Sequence, residues 1–170
     1  MSRSILFPKN KQKRIPNMVD FTLSPSELAT RNAARTFASA HLSTAKAAYT
    51  QIPSHAERFQ CLQPLYAEAV KAGLIKGQIP IPLGGTSSSL LEAAILVEEM
   101  SAVERAASLT IFGTGLGLTP LCLAFKPQLA EFLIPFLRAE GTPLASLVFT
   151  EPGGVVSSSL HFRSTFLPIQ

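Results

Sequence analysis

Between Arg105 and Lys126 the chain runs twenty residues, Ala106 to Phe125, without a charge. A run of that length must either span a bilayer or lie buried among other helices. Its Gly113-x-x-x-Gly117 spacing would suit close approach of membrane helices. Against a span stand Pro120, the glycines 113, 115 and 117, several hydroxyls, and flanks without the basic cluster that sets orientation. The expectation is no membrane span: two helices in the core of an all-helical domain give the same pattern. A chain of 170 residues is one domain of ordinary size, long enough for such a core. Ala and aliphatic residues dominate while Trp is absent, which favours helix packing over an aromatic-rich sandwich.

The net charge of +4 does not describe a nucleic-acid-binding face. Arg3, Lys9, Lys11, Lys13 and Arg14 all precede the first acid, Asp20; without them the remaining ten basic residues face eleven acids. The basicity belongs to a leader, read as solvated and disordered, and no nucleic-acid partner is expected. Pro8 and Pro16 interrupt any amphipathic helix there, and Ile5-Leu6-Phe7 is too short for a secretory core; a mitochondrial presequence stays open. Leu167-Pro168-Ile169-Gln170 is no peroxisomal tripeptide signal. Cys61 and Cys122 lack metal or redox spacing and read as small buried residues of a reducing, intracellular compartment.

The first helix carries a full start signal: Ser24 as cap, Pro25 at the first helical position, Glu27 reaching back, and Leu23 with Leu28 as a staple. It is expected to run to about Thr50 with Ala34, Phe37, Ala38, His41, Ala45 and Ala48 on one stripe. His41 reads as a boundary histidine, not a ligand. A second helix is expected over Arg58 to Ala72, with Phe59, Leu62, Leu65, Tyr66, Ala69 and Val70 inward and Gly73 ending it. Ile79-Pro80-Ile81-Pro82 should be extended. Ser89 and Glu92 form a second capping box, opening a helix with Leu90, Leu91, Ala94, Ile95 and Val97 inward and Glu92 and Glu99 outward. Gly113-Thr114-Gly115-Leu116-Gly117 after Leu109 to Phe112 mimics a dinucleotide loop, but the third glycine and the later acid are missing. Close helix packing explains those glycines better. A last helix covers Gln128 to Leu137, and Glu140-Gly141-Thr142 turns the chain into a strand at Leu144.

That strand ends in Leu147-Val148-Phe149-Thr150-Glu151-Pro152-Gly153-Gly154, a β-favouring run closed by turn residues, with a hydroxyl at the joint. Upstream lies Ile79-Pro80-Ile81-Pro82-Leu83-Gly84-Gly85, followed by the Leu/Glu/Ala-rich run Ser89 to Glu99. Together these resemble the acyl-CoA dehydrogenase family, whose members carry a P-x-x-x-GG turn before such a helix and later a strand ending in TEP-G. The resemblance runs from about Phe21 to Gly154. It implies a mainly α fold: a helical N-terminal domain over 21–140 behind a leader at 1–20, then the first strand and flavin-facing turn of a β-domain at 141–154. Residues 155–170 do not resemble the family and read as an irregular tail, such as a frameshift, a retained intron or a damaged gene copy leaves.

The family oxidises an acyl-CoA thioester at its α–β bond with FAD. By position, the resemblance puts Leu147, Phe149 and Thr150 at the flavin, with Gly153 and Gly154 letting backbone approach it closely. Acyl-CoA is the implied substrate, and no metal is implied. No catalytic residue falls in this chain: the family's glutamate base lies in a C-terminal bundle, no acid follows Glu151, and Glu151 is itself a turn residue. Hence the chain as given is expected not to dehydrogenate acyl-CoA. Full-length relatives assemble as homo-oligomers through that bundle, which is not expected of this piece. Lipid metabolism, or a fungal specialised-metabolite or toxin pathway, is the implied setting. Two alternatives stand beside this reading: a related flavin oxidase or N-hydroxylase that passes electrons to oxygen, and a non-catalytic helical remnant acting through protein contacts.

Overall fold

The computed structural model describes residues 21–124 and 126–147. Helix α1 spans Pro25–Phe37 and starts as its sequence dictates. The Ser24 backbone N–H donates to Glu27 Oε2 at 2.6 Å, and Ser24 Oγ accepts from the Glu27 N–H at 3.3 Å. A cap of this kind contributes about 1 kcal/mol. The rod does not continue unbroken to Thr50. A π-helical turn covers Ala38–Leu42, and after Ser43 and Thr44 the chain resumes as α2, Ala45–Thr50. Ser43 Oγ donates to the Ser39 carbonyl at 3.0 Å, a back-bond that bends helices at such points. The buried stripe is Ala34, Ala38, Leu42 and Ala45; Leu42 replaces the expected His41, and Ala48 is exposed. His41 is half-buried with its ring 4.6 Å from that of Phe37.

The expected second helix is two. Helix α3, His55–Cys61, is capped by Ser54, and α4, Gln63–Lys71, begins immediately after Leu62. Pro64 is the reason: it has no N–H to continue the first helix, yet fits the opening turn of a new one. Gly73, at φ +77°, closes α4. Its N–H bonds Val70 O and the Leu74 N–H bonds Ala69 O, both at 2.9 Å, a Schellman motif. Ile79 and Pro80 are extended as expected, but Ile81–Leu83 folds into a 3-10 turn, because Pro82 occupies a first-turn position where no N–H is needed. Gly85 is obligatory here: a Cβ would lie 1.9 Å from the Ile79 carbonyl oxygen.

Helix α5, Leu90–Val103, is capped by Ser89 alone, which accepts from the Leu91 N–H at 3.1 Å; the Glu92 carboxylate is instead bonded by the Ser88 hydroxyl. Its expected inner face is largely outward. Leu90, Leu91 and Val97 are exposed, whereas Ile95 and Met100 are buried and Glu92 and Glu99 half-covered. The helix is apolar almost all round, so its own pattern selects no face. The face that packs on α1 is covered instead, and there Arg35 of α1 bonds Glu99 at 2.6 and 2.9 Å.

Residues 105–124 form one continuous helix, α6, Arg105–Ala124, with Pro120 inside it, not the expected two. Glu104 starts it, its Oε2 accepting from the Ala107 N–H at 2.6 Å and its Oε1 from Tyr49 Oη at 2.7 Å. Among the described residues α6 is the one helix long and apolar enough to cross a membrane, by length and composition. One side of it packs into the domain, with α1 on α5 and α5 on α6, while Leu109, Leu116 and Leu123 on the other side are exposed. A 3-10 turn, Pro127–Leu129, leads into α7, Ala130–Leu137, which buries Leu133 and Phe136 and leaves Phe132 exposed. The architecture is mainly α. Among the described residues the one β feature is an isolated bridge, Pro80 to Ser87, and residues 142–147 carry no regular structure. The expected start of a strand at Leu144 is therefore not seen, since a strand requires a neighbouring strand to pair with.

Candidate functional site

Of the residues that the sequence places at a flavin, Leu147 is described; Phe149, Thr150, Gly153 and Gly154 lie outside the described residues. Leu147 is 46% exposed, and Leu144 is also exposed, so the segment presents apolar side chains outward at the edge of the helical domain. What the structure adds is the way this segment is held.

Three elements meet beneath it. Tyr66 of α4 and Thr114 of α6 are 2% and 1% exposed, and their hydroxyls lie 2.7 Å apart. Tyr66 Oη also donates to the Pro143 carbonyl at 2.7 Å. A carbonyl can only accept and a phenol has one proton, so Thr114 donates to Tyr66 and Tyr66 donates to Pro143. Burial pushes the Tyr66 phenol above its ordinary value, and the Thr114 bond offsets this in part. It is therefore a neutral donor throughout the physiological range. One helical turn along, Gly117 lies against the backbone: a Cβ there would stand 2.5 Å from the Ala145 carbonyl carbon and 2.6 Å from the Ser146 nitrogen. Gly115 makes room for Gln78, whose Nε2 donates to the Leu74 and Ile111 carbonyls at 3.1 and 3.3 Å. So two of the three glycines read as helix-packing residues admit a side chain and a passing loop, while Gly113 has nothing within 4 Å.

Beside this knot opens a cleft of about 380 Å³, lined by Phe59, Gln63, Tyr66, Thr110, Thr142 and Leu144 among others. Its polar groups are amides and hydroxyls. None is a base at neutral pH, so the cleft can bind and orient but cannot take a proton. Among the described residues there is no cluster of His, Cys, Asp and Glu able to hold a metal. Cys61 and Cys122 are free and half-buried, and burial pushes the Cys122 thiol up. The sequence reading put Tyr66 on an apolar face and stopped there. The signal it passed over is chemical: a buried tyrosine hydroxyl needs a partner, and the nearest candidates are the hydroxyls of the uncharged run.

Residues 24–140 match the family described as acyl-CoA dehydrogenase, N-terminal domain. The chain is similar to nitroalkane oxidase of Podospora anserina, 57% identical over 141 residues that cover 82% of this chain and 33% of that protein. The solved structure of the Podospora protein superposes with a TM-score of 0.77, covering 81% of this chain and 33% of the other at 58% identity. Nitroalkane oxidase of Fusarium oxysporum is 51% identical over 141 residues, 82% of this chain and 32% of its own. Cyclohex-1-ene-1-carbonyl-CoA dehydrogenase of Geobacter metallireducens is 31% identical over 93 residues, 54% of this chain and 24% of its own. The chain spans about a third of the length of the two nitroalkane oxidases.

Proposed function

The chain belongs to the acyl-CoA dehydrogenase family, and on that premise we propose that it forms the helical third of an FAD-dependent oxidase acting on nitroalkanes or closely similar substrates. Nitroalkane oxidase and the acyl-CoA dehydrogenases are FAD flavoproteins. The observation that carries the choice between them is the likeness to two nitroalkane oxidases at 57% and 51% over most of this chain, against 31% over about half of it for a CoA-ester dehydrogenase. A related flavin oxidase thus takes precedence over the acyl-CoA dehydrogenase reading. Neither fatty-acid metabolism nor a toxin pathway gains support from these relatives.

The two substrate classes ask for the same machinery. A nitro group acidifies the adjacent C–H as a thioester does, so each needs a base for that proton and an acceptor for the electron pair, and FAD, when bound, accepts the pair. This chain's share is one wall. The exposed Leu147 side chain, on backbone fixed through Pro143, fits the edge of a planar ring, and the Thr150 hydroxyl and the glycines 153 and 154 are assigned to it by sequence position. The adjoining cleft mixes apolar side chains with amides and hydroxyls and has no cation in its described lining for a CoA phosphate, which suits a small nitroalkane better than the long, charged CoA moiety.

The test is a pair of grafts. Residues 24–147 replace the matching segment in Podospora nitroalkane oxidase and, separately, in the Geobacter CoA dehydrogenase. Retained oxidation of a 1-nitroalkane by the first graft, with turnover by the second lost by about a hundredfold or more, is the expected result. A second graft that works as well as the first would overturn the preference for nitroalkanes.

A further inference from the structure

The buried knot at Tyr66 joins parts of the chain that are distant in sequence, and it does so where the helical domain hands over to the Leu147–Thr150 run. Thr114 donates to Tyr66 and Tyr66 to the Pro143 carbonyl, each at 2.7 Å. Gly117 gives the same segment a bare helix surface to lie on, with no room for even a methyl group beside Ala145 and Ser146. The segment is thus fixed at two points, one polar and one steric, while making no ladder of its own. A phenol, a threonine and a glycine from two helices converge on it, which sets both its depth and its direction.

Resting on the flavin reading above, we infer that Tyr66, Thr114 and Gly117 are positioning residues for Leu147, the described residue assigned to the flavin, acting through Pro143–Ser146. Tyr66 also lines the cleft, whereas Thr114 and Gly117 lie outside it. The effect of the three is to hold Pro143–Ser146, the four residues before Leu147, so that Leu147 is presented at a fixed place, where small misplacements are costly.

Two measurements test this. The 170-residue chain and its Tyr66→Phe, Thr114→Val and Thr114→Ser variants are digested with elastase, and cleavage after Ala145 is followed by mass. The same substitutions are made in the Podospora graft and titrated with FAD, with the flavin absorption spectrum recorded. Loss of one buried bond corresponds to about tenfold in an equilibrium. Tyr66→Phe and Thr114→Val should therefore speed the Ala145 cut about tenfold and weaken FAD binding about tenfold, with a shifted flavin spectrum. Thr114→Ser, which keeps the donor, should restore both. Unchanged FAD affinity and spectrum in Tyr66→Phe, with the parent graft binding normally, would overturn the inference and leave the proposed function standing. A parent graft that folds without taking up FAD would overturn the flavin reading instead. The elastase rates then decide by themselves whether Tyr66 and Thr114 hold Pro143–Ser146, and equal rates in parent and variants overturn the inference.

Discussion

Leu116 and Leu118 lie two residues apart on α6, the first 59% exposed and the second 1%. They stand for two sides of one helix. The inner side carries Ala107, Ser108, Ile111, Thr114 and Leu118, three or four residues apart, in contact with the core. The outer side carries Leu109, Leu116 and Leu123, seven apart and all exposed, and Leu90, Leu91 and Val97 of α5 are exposed as well. Apolar character does not tell the two sides apart. One hydroxyl does: Thr114 bonds Tyr66 of another helix at 2.7 Å, whereas Ser108, Thr110 and Thr119 each bond a carbonyl four residues back in the chain. An apolar face of the outer size is a surface built to be covered. In a chain spanning a third of its relatives' length, it is where association is expected.

The comparison can be broken most directly with leucine itself. Leu118→Ala should cost about 2–5 kcal/mol by emptying a packed site, whereas Leu116→Ala should change stability by less than about 0.5 kcal/mol. Denaturant midpoints measure both, and equal costs would erase the distinction between the sides. The glycines offer a subtler pair. Gly117→Ala should destabilise by about 1–3 kcal/mol by driving a methyl group into the Ala145–Ser146 backbone. Gly113→Ala, with open space around it, should stabilise by about 0.5–1 kcal/mol through helix propensity. A thermal melt of each variant checks the opposite signs.

The start of α6 titrates. Burial works to raise the Glu104 carboxyl, but the Ala107 N–H, the Tyr49 hydroxyl and the Ala106 N–H outweigh it and hold it below its ordinary value. An acid depressed on folding contributes stability above its unfolded pKa and loses it as pH falls through the folded one. The advantage of the parent over Glu104→Gln should hold at neutral pH and shrink only on acidification below the ordinary carboxylate value, as read from denaturant midpoints against pH. The smallest expected change in stability belongs to the outer side. Serine at 109, 116 and 123 together should leave the melting temperature nearly unchanged while reducing self-association in sedimentation. Alkaline carbonate should release the parent chain from membranes without detergent. Retention as an integral species would turn that outer side into a lipid-facing one.

What the sequence made legible follows the same division. The start of α1 was readable because Ser24, Pro25 and Glu27 are local signals that need no partner. The end of α4 at Gly73 was readable for the same reason. The break at Leu62 was written in Pro64 and passed over, because the apolar spacing runs straight through it. The inner face of α5 was not legible: Glu92 and Glu99 marked an outward side, yet both are half-covered, Glu99 by Arg35, which is distant in sequence. The flavin-facing residues were named from a resemblance that ends where the described residues end, so of them only Leu147 has a structural account. Tyr66 and Gly117 were present as types but not as a pair, because a contact between residues 66, 114 and 143 has no signature in any one window.

The proposed function makes this helical third the holder of the flavin-facing residues in an oxidase of the nitroalkane type. The most direct measurement is the FAD content of the purified Podospora graft carrying residues 24–147 of this chain, read from its flavin absorbance after gel filtration. The account predicts about one FAD per polypeptide, in a spectrum matching that of the parent oxidase. A graft that elutes folded, with the parent's helical signal but without bound flavin, would contradict it.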